Sequence, residues 1–139
     1  MTTEFVTHSA AETIEVGKII GSRLRGGDII AFKGGLGAGK TTITHGIALG
    51  MGLRDDVSSP TFAIVNEYLG KDVQIFHFDL YRIKDEDDLY STGFYDYAER
   101  GGIVITEWSE NFEYVLPIDA IRVKITTLDE NTREITVDY

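Results

Sequence analysis

The stretch GGLGAGKTT, residues 34–42, constrains this chain more than any other feature, because it places four glycines within six positions, directly before a lysine and two threonines. A hydrophobic run over residues 28–33 (DIIAFK) precedes it and is typical of a buried strand, and apolar residues at helical spacing follow over residues 40–51. We therefore predict a strand, a tight loop and a helix in immediate succession. Ordering so much glycine costs conformational entropy, so the loop needs a compensating role.

The loop matches the pattern G-x-x-x-x-G-K-[ST] at Gly34, Gly39, Lys40 and Thr41. Glycines permit positive φ and leave space, so that successive backbone N–H groups can surround a polyphosphate at the positive end of the helix. Lys40 is expected to reach the β and γ phosphates, and the Thr41 hydroxyl to ligate Mg²⁺. A glycine-rich turn with an incidental Lys-Thr is the alternative, and the strand and helix that flank the loop argue against it. The predicted phosphate-binding residues are Gly35, Leu36, Gly37, Ala38, Gly39, Lys40, Thr41 and Thr42.

ATP is the favoured nucleotide, by elimination. The dinucleotide fingerprint G-x-G-x-x-G fails, because its third glycine would fall at Lys40 or at Thr42. The chain also lacks the guanine-reading string N-K-x-D and the switch string D-x-x-G that a GTPase normally has.

A second short hydrophobic strand ends in an acid: IVITEW, residues 103–108. A carboxylate at the carboxyl end of a strand beside such a loop can hold Mg²⁺, directly or through water, or polarise the attacking water. We assign this role to Glu107, and the alternative is an acid that simply leaves the strand into solvent. Trp108, the one tryptophan, either packs at a sheet edge or contacts the nucleotide or a partner.

The run IFHFDLYR, residues 75–82, places Ile75, His77 and Asp79 on one face of a strand, because strand side chains alternate. Asp79 lies near the end of the run, where a carboxylate could join the surroundings of Mg²⁺ or act as a base for an attacking oxygen. The alternative is a structural ion pair between Asp79 and Arg82, with His77 satisfied in the core. The spacing favours neither.

The segment SSPTF, residues 58–62, is typical of a turn with exposed hydroxyls. It is either a plain turn or a switch-like loop in which Thr61 responds to the γ-phosphate or to Mg²⁺. The composition of the segment does not decide between them.

Acidic residues outnumber basic ones 23 to 13, which gives a net charge of −10. A chain that binds DNA or RNA by itself usually has a basic face, so direct nucleic-acid binding is disfavoured, whereas docking on a basic protein patch is not. The chain has no cysteine and no apolar run long enough to span a membrane, and we do not expect its first residues to act as a signal peptide. We therefore expect a cytoplasmic protein without disulfides.

The remaining periodicity completes the fold. We expect a short edge strand at residues 4–7, an amphipathic helix over 10–25, hairpin strands over 62–68 and 73–80, an acidic helical segment over 85–100 broken near Gly93, a helix over 109–116, and a second hairpin over 120–127 and 133–138. These elements predict a single domain over residues 1–139. Its fold class is α/β, a three-layer P-loop NTPase-like sandwich with a mixed, partly antiparallel central sheet.

Four elements in this order, GGLGAGKTT, SPTF, HFDLYR and TEWSE, resemble the bacterial TsaE (YjeE) family of small P-loop ATPases, over nearly the whole chain. The resemblance implies a Mg²⁺-dependent ATPase with weak turnover by itself, required for N6-threonylcarbamoyladenosine formation at position 37 of tRNAs that read ANN codons. It implies two protein partners, the threonylcarbamoyl transferase subunit TsaD and its inactive paralogue TsaB, with tRNA reached only through them. The protein would then act on the complex as a nucleotide-state switch.

The resemblance also carries over site residues. It implies that Lys40 binds phosphates and that Thr41 and Glu107 serve Mg²⁺. Three further residues fall in motifs expected to matter for hydrolysis or assembly: Thr61, Asp79 and Trp108.

Two positions far from the loop match places of nucleotide contact in the family, Thr13 in the first helix and Arg133 in the last hairpin. One departure is visible at Gly35, where the family usually has the acid of Gly-Asp-Leu-Gly. Phosphate binding should survive this change, because the position is variable in phosphate loops. Any role of that acid in polarising water or docking a partner is not carried over.

Two other functions stay open. A small-molecule kinase, with Asp79 as the base for a substrate hydroxyl, is disfavoured because such kinases usually carry an arginine-rich lid, and the arginines here are scattered. A scaffold that binds nucleotide without hydrolysing it is also compatible with the loop.

Overall fold

The computed structural model describes residues 2–34, 39–53, 65–69, 74–80, 83–107 and 110–139. The strands are β1 (Thr2–Thr7), β2 (Ile29–Lys33), β3 (Val65–Leu69), β4 (Gln74–Asp79), β5 (Ile103–Glu107), β6 (Ile121–Thr127) and β7 (Arg133–Asp138). The helices are α1 (Ala10–Ser22), α2 (Lys40–Gly50), α3 (Glu86–Ser91) and α4 (Phe94–Glu99), and a 3₁₀ segment covers Glu110–Val115.

The strands form one seven-stranded sheet in the order β1-β7-β6-β2-β5-β4-β3. Its centre is parallel, because β2 pairs in parallel with both β5 and β6, and β4 pairs in parallel with β5. Antiparallel pairs of β3 with β4, of β7 with β6 and of β1 with β7 complete it on both sides. The predicted mixed sheet is confirmed, and the first strand does lie at an edge.

Buried side chains cover both faces of the sheet, which confirms the predicted three-layer architecture. On one face, α1 and α2 contribute Val16, Ile20, Ile43 and Ile47 to a cluster with the strand residues Ile30, Phe32, Ile75, Ile103 and Ile105. On the other face, α3, α4 and the 3₁₀ segment contribute Leu89, Phe94 and Phe112 to a cluster with Phe76, Phe78 and Val104. The face of each strand residue follows from the alternation of side chains along the strand.

The helix boundaries follow their capping residues. Ser9 caps α1 by accepting a hydrogen bond from the N–H of Glu12 at 3.1 Å, and the Glu12 carboxylate lies 3.4 Å from His8. α1 ends at Ser22, a turn earlier than predicted, and the acidic segment divides at Gly93, where φ is +83°. Across the described ranges, no helix combines the length and the apolar character that crossing a membrane requires.

The predicted helix over residues 109–116 is instead a 3₁₀ segment with a kink at Phe112, where φ is −122°. The side chain of Phe112 is buried in the core beside the sheet. The chain between the end of β5 and Pro117 is short, and it must also bury this ring. It therefore has little length left for a regular α-helix.

Glycines let α1 and α2 lie against each other with almost no space between their backbones. A Cβ atom on Gly46 would lie 2.9 Å from the Cα atom of Gly17 and would also collide with the carbonyl oxygen of Ile14. A Cβ atom on Gly17 would likewise overlap backbone atoms of α2. This contact sets the position of α2, which begins at Lys40 and therefore carries the functional site.

We expect Gly46→Ala to lower the free energy of unfolding by about 1–3 kcal/mol, because the new methyl group meets backbone that cannot move by itself. Chemical denaturation measures the change. The control is Glu15→Ala at an exposed position of α1, which should change stability by no more than about 0.5 kcal/mol. Equal stability of Gly46→Ala and the wild type would show that the two helices do not need this close contact.

Candidate functional site

The parallel centre of the sheet brings three chain segments together at the C-terminal ends of strands β2, β4 and β5. In the strand register, Glu107 of β5 lies beside Phe32 of β2 on one side and beside Asp79 of β4 on the other. The glycine loop begins directly after β2, at the same edge. Glu107 is only 5% exposed and Asp79 is half-buried, so the two predicted carboxylates are neighbours at the end of the sheet where the loop starts.

The helix after the loop begins at a glycine with a left-handed backbone conformation. Gly39 is its N-cap residue with φ of +106°, a left-handed conformation that favours glycine. The N–H of Ile43 donates to the Gly39 carbonyl at 2.9 Å, so the amides of the three residues before it lie ahead of the intrahelical hydrogen bonds. Amides at this end of a helix attract anions.

Lys40 lies in a buried position between the loop and β5. Its side chain is 6% exposed, and its Nζ atom donates to the Gly34 carbonyl at 3.1 Å and lies 3.5 Å from Oε1 of Glu107. A buried ammonium group requires such polar partners. The lysine of the loop pattern is thus held at the start of the loop by a backbone carbonyl and by the strand-end carboxylate.

Glu107 uses both carboxylate oxygens. While Oε1 faces Lys40, Oε2 accepts a hydrogen bond of 2.6 Å from Nε2 of His77. Burial by itself would raise the pKa of Glu107, but the hydrogen bond from His77 and the electrostatic attraction of His77 and Lys40 together lower its pKa below the ordinary value. The carboxylate is therefore charged at neutral pH and suited to binding a cation.

His77 lies beside Glu107, but the sequence analysis assigned it no role in the site. It was named there only as a core residue, in the alternative that paired Asp79 with Arg82. Its ring is fully buried, and its Nδ1 atom has no hydrogen-bond partner among the described residues. Nε2 lies 2.6 Å from a carboxylate oxygen, which can only accept, so Nε2 carries a proton and donates it to Glu107. The alternating pattern had placed His77 on the correct strand face, but the register that brings it to Glu107 is not local.

The residues present fit a magnesium–nucleotide site. Mg²⁺ is usually held by one or two carboxylates together with substrate phosphates and waters, not by an all-protein cage. The described residues contain no group of three or more acidic or histidine side chains that could hold a metal alone. Thr41 lies half-buried in the first turn of α2, and Glu107 supplies the carboxylate, so these two would hold the ion.

Thr13 and Arg133 lie at the same end of the sheet as the C-terminus of β2, where the glycine loop begins. β6 runs parallel to β2 and ends at Thr127, and the register pairs Arg133 with both Thr127 and Thr7. The Thr13 hydroxyl is buried and forms a 2.8 Å hydrogen bond with that of Thr7. The Arg133 guanidinium donates to backbone carbonyls of its own turn, among them Asp129 at 2.9 Å. Nucleotide contact by Thr13 and Arg133 stays a prediction.

Several predicted site residues fall outside the part of the chain that the structure describes, and their roles also stay predictions. They are Gly35, Leu36, Gly37, Ala38, Thr61 and Trp108. Arg82, the alternative ion-pair partner of Asp79, is outside it as well. Thr42 lies half-buried in the first turn of α2, where its backbone amide is at the expected end of the helix.

A mixed sheet with a parallel centre, a glycine loop directly after β2, a buried lysine at the start of the next helix and a carboxylate at the end of the adjacent strand define a P-loop NTPase-like protein. Comparisons with known proteins narrow this class. The family model described as threonylcarbamoyl adenosine biosynthesis protein TsaE matches residues 7–135. This chain belongs to the TsaE family.

Relatives and a solved structure agree with this assignment. The chain is 33% identical over 132 residues to the tRNA threonylcarbamoyladenosine biosynthesis protein TsaE of Treponema pallidum, covering 95% of this chain and 97% of the relative. It is 35% identical over 130 residues to the protein of the same name from Bacillus subtilis, covering 94% and 81%. The crystal structure of Bacillus subtilis YdiB superposes with a TM-score of 0.81 at 29% identity, covering 99% of this chain and 84% of that one.

Lys40→Ala should weaken binding of ATP by at least about tenfold, because a charge-assisted contact to phosphate contributes about 1.5–3 kcal/mol. Isothermal titration calorimetry measures the affinity, and circular dichroism checks that the variant is folded. Lys124→Ala is the control, since it removes one positive charge from an exposed position of β6. Wild-type affinity in Lys40→Ala would contradict the assignment of this lysine to phosphate binding.

The lowered pKa of Glu107 makes a prediction about stability and pH. A carboxylate whose pKa is lower in the folded protein than in the unfolded chain stabilises the fold above the unfolded value, about 4.3, and this stabilisation is lost as pH falls through the folded value. Glu107→Gln should therefore be less stable than the wild type at pH 7, and the difference should shrink at pH 4 and below. Thermal unfolding measures it, with Glu4→Gln at an exposed position as the control. A difference that is independent of pH would contradict this account.

Proposed function

We propose that this protein binds and hydrolyses Mg²⁺-ATP as an accessory subunit required for threonylcarbamoylation of adenosine 37 in tRNAs that read ANN codons. The observation that carries the proposal is the buried cluster of Lys40, Glu107 and His77 at the start of the glycine loop, in a chain of the TsaE family. The names of the relatives support the part of the proposal that concerns tRNA threonylcarbamoyladenosine biosynthesis, and the buried cluster supports the part that concerns binding and hydrolysis of ATP.

In this proposal each described residue has a distinct task. Lys40 and the amides at the start of α2 bind the phosphates, and Thr41 with Glu107 holds Mg²⁺. When bound, the cation neutralises charge that develops on the transferred phosphoryl group. Asp79 lies beside Glu107 in the register, where a carboxylate can orient the attacking water. Thr61 and Trp108 belong to the same predicted site.

We further propose that the protein works through partners, the transferase subunit TsaD and its paralogue TsaB, in the cytoplasm. With a net charge of −10, the chain is poorly suited to hold tRNA itself, because phosphate contacts need lysine and arginine. ATP-bound protein would dock on the partners and hydrolysis would reset the complex, as in other nucleotide-state switches.

Glu107→Ala separates binding from hydrolysis. We expect ATP affinity to stay within about tenfold of wild type while turnover falls at least about a hundredfold, because the residue acts on charge that develops in the transition state. Phosphate release and calorimetry measure the two quantities. Glu99→Ala, which removes an exposed acid at the end of α4, is the control. Normal turnover in Glu107→Ala would show that the strand-end acid does not serve hydrolysis.

Mg²⁺-dependent ATP hydrolysis by the purified protein, alone and with the transferase–paralogue pair plus tRNA, tests the proposal as a whole. Weak turnover that rises with the partners, together with formation of the modified nucleoside by mass spectrometry, is the expected result. Tight nucleotide binding without turnover in either case would favour a non-hydrolysing scaffold. Phosphate transfer to a small metabolite would favour a kinase.

A further inference from the structure

We propose that His77 is a positioning residue for hydrolysis: it anchors one oxygen of the Glu107 carboxylate so that the other faces the phosphate loop. The inference rests on the proposed function and extends it to a residue that does not itself touch nucleotide or metal.

The geometry gives the two carboxylate oxygens different surroundings. Oε2 accepts a short hydrogen bond of 2.6 Å from Nε2 of His77, while Oε1 lies 3.5 Å from Nζ of Lys40. The same Nζ atom reaches the carbonyl of Gly34, where the loop begins. Oε1 therefore faces Lys40, whose partner Gly34 follows β2, and Oε2 faces His77 on β4. A short charge-assisted hydrogen bond of this kind restricts the rotation of the carboxylate.

The position of His77 in the fold makes it a rigid anchor. It lies on β4 opposite Ile105 of β5, on the face where Ile75 and Ile105 belong to the buried cluster under α1 and α2. The side chain has no solvent exposure. A side chain surrounded in this way has one packed orientation, so the direction in which Nε2 points is set by the core.

Core packing alone does not account for a histidine here. Its Nδ1 atom is buried and has no hydrogen-bond partner among the described residues, which is a cost that an apolar side chain would not have. Replacing buried polar pairs by packed apolar groups is often neutral or stabilising. A role in orienting Glu107 explains why a polar ring is placed among isoleucines.

The arrangement also assigns phosphate binding and orientation of the carboxylate to different residues: Lys40 for the first and His77 for the second. Lys40 is shared between Glu107 and the loop carbonyl, and binding phosphates turns its charge toward the ligand. The hydrogen bond from His77 does not depend on that lysine, because His77 lies on β4 whereas Lys40 lies at the start of α2. Glu107 thus keeps a buried donor on Oε2 while Oε1 is directed at the place where Mg²⁺ or water would be held.

The test compares His77→Leu with His77→Gln. Leucine removes the donor, whereas the glutamine amide can donate from near the position of Nε2. We expect His77→Leu to lower kcat for ATP by about 10–100-fold with KM within about twofold of wild type, as for other residues that orient a metal ligand, and His77→Gln to recover most of the loss. Rates are measured with the partner proteins and tRNA present.

Thr106→Val is the matched control, because Thr106 is a fully buried polar residue on β5 whose side chain points to the opposite face of the sheet from Glu107. Its kcat should stay within about twofold of wild type, which would separate orientation of Glu107 from general disturbance of the core. Wild-type kcat in a folded His77→Leu protein, or equal losses in His77→Leu and His77→Gln, would overturn the inference.

Binding supplies a readout that does not need turnover. We expect Mg²⁺ to strengthen binding of a non-hydrolysable ATP analogue about tenfold less in His77→Leu than in the wild type, with unchanged affinity in the absence of Mg²⁺. Equal Mg²⁺ enhancement in both proteins would overturn the inference. Absence of hydrolysis by the wild type under all conditions would instead contradict the proposed function, and the binding comparison would still decide the role of His77.

Discussion

The buried carboxylate of Glu107 is the group on which the rest of the site depends. Removing a carboxylate from water is costly, and the chain offsets this with a hydrogen bond from His77 and the charge of Lys40. The result is an ionised acid, a buried ammonium and an oriented imidazole within one cluster at the end of the sheet. Such a cluster is costly if it serves stability alone, and it lies at the end of the sheet where the glycine loop begins.

The fold brings these groups together through two long-range features. The parallel pairing of β2, β5 and β4 places the start of the loop, Glu107 and His77 on neighbouring strands. The close approach of α1 and α2, which Gly17 and Gly46 permit, seats α2 over the same face and directs Lys40 toward the strand ends. A change in either feature would separate the lysine from the carboxylate without touching either residue.

Local patterns predicted most of this structure. The strand before the glycine loop and the helix after it could be predicted directly, because each has a distinctive spacing over a few residues, and the break at Gly93 was equally local. The contact of His77 with Glu107 could not be predicted from the sequence, because it depends on the register between two strands that are distant in sequence. The α-helix predicted around Phe112 is wrong, because the segment is a 3₁₀ helix with a kink at Phe112, whose ring is buried in the core. The spacing of apolar residues did not indicate this kink.

A crystal structure with Mg²⁺ and a non-hydrolysable ATP analogue tests the central claim most directly. The account predicts phosphates against Lys40 and the start of α2, the metal held by Thr41 and Glu107, and the hydrogen bond from His77 to Oε2 still in place. Phosphates bound away from Lys40, or a Glu107 carboxylate turned away from the metal and from His77, would contradict it.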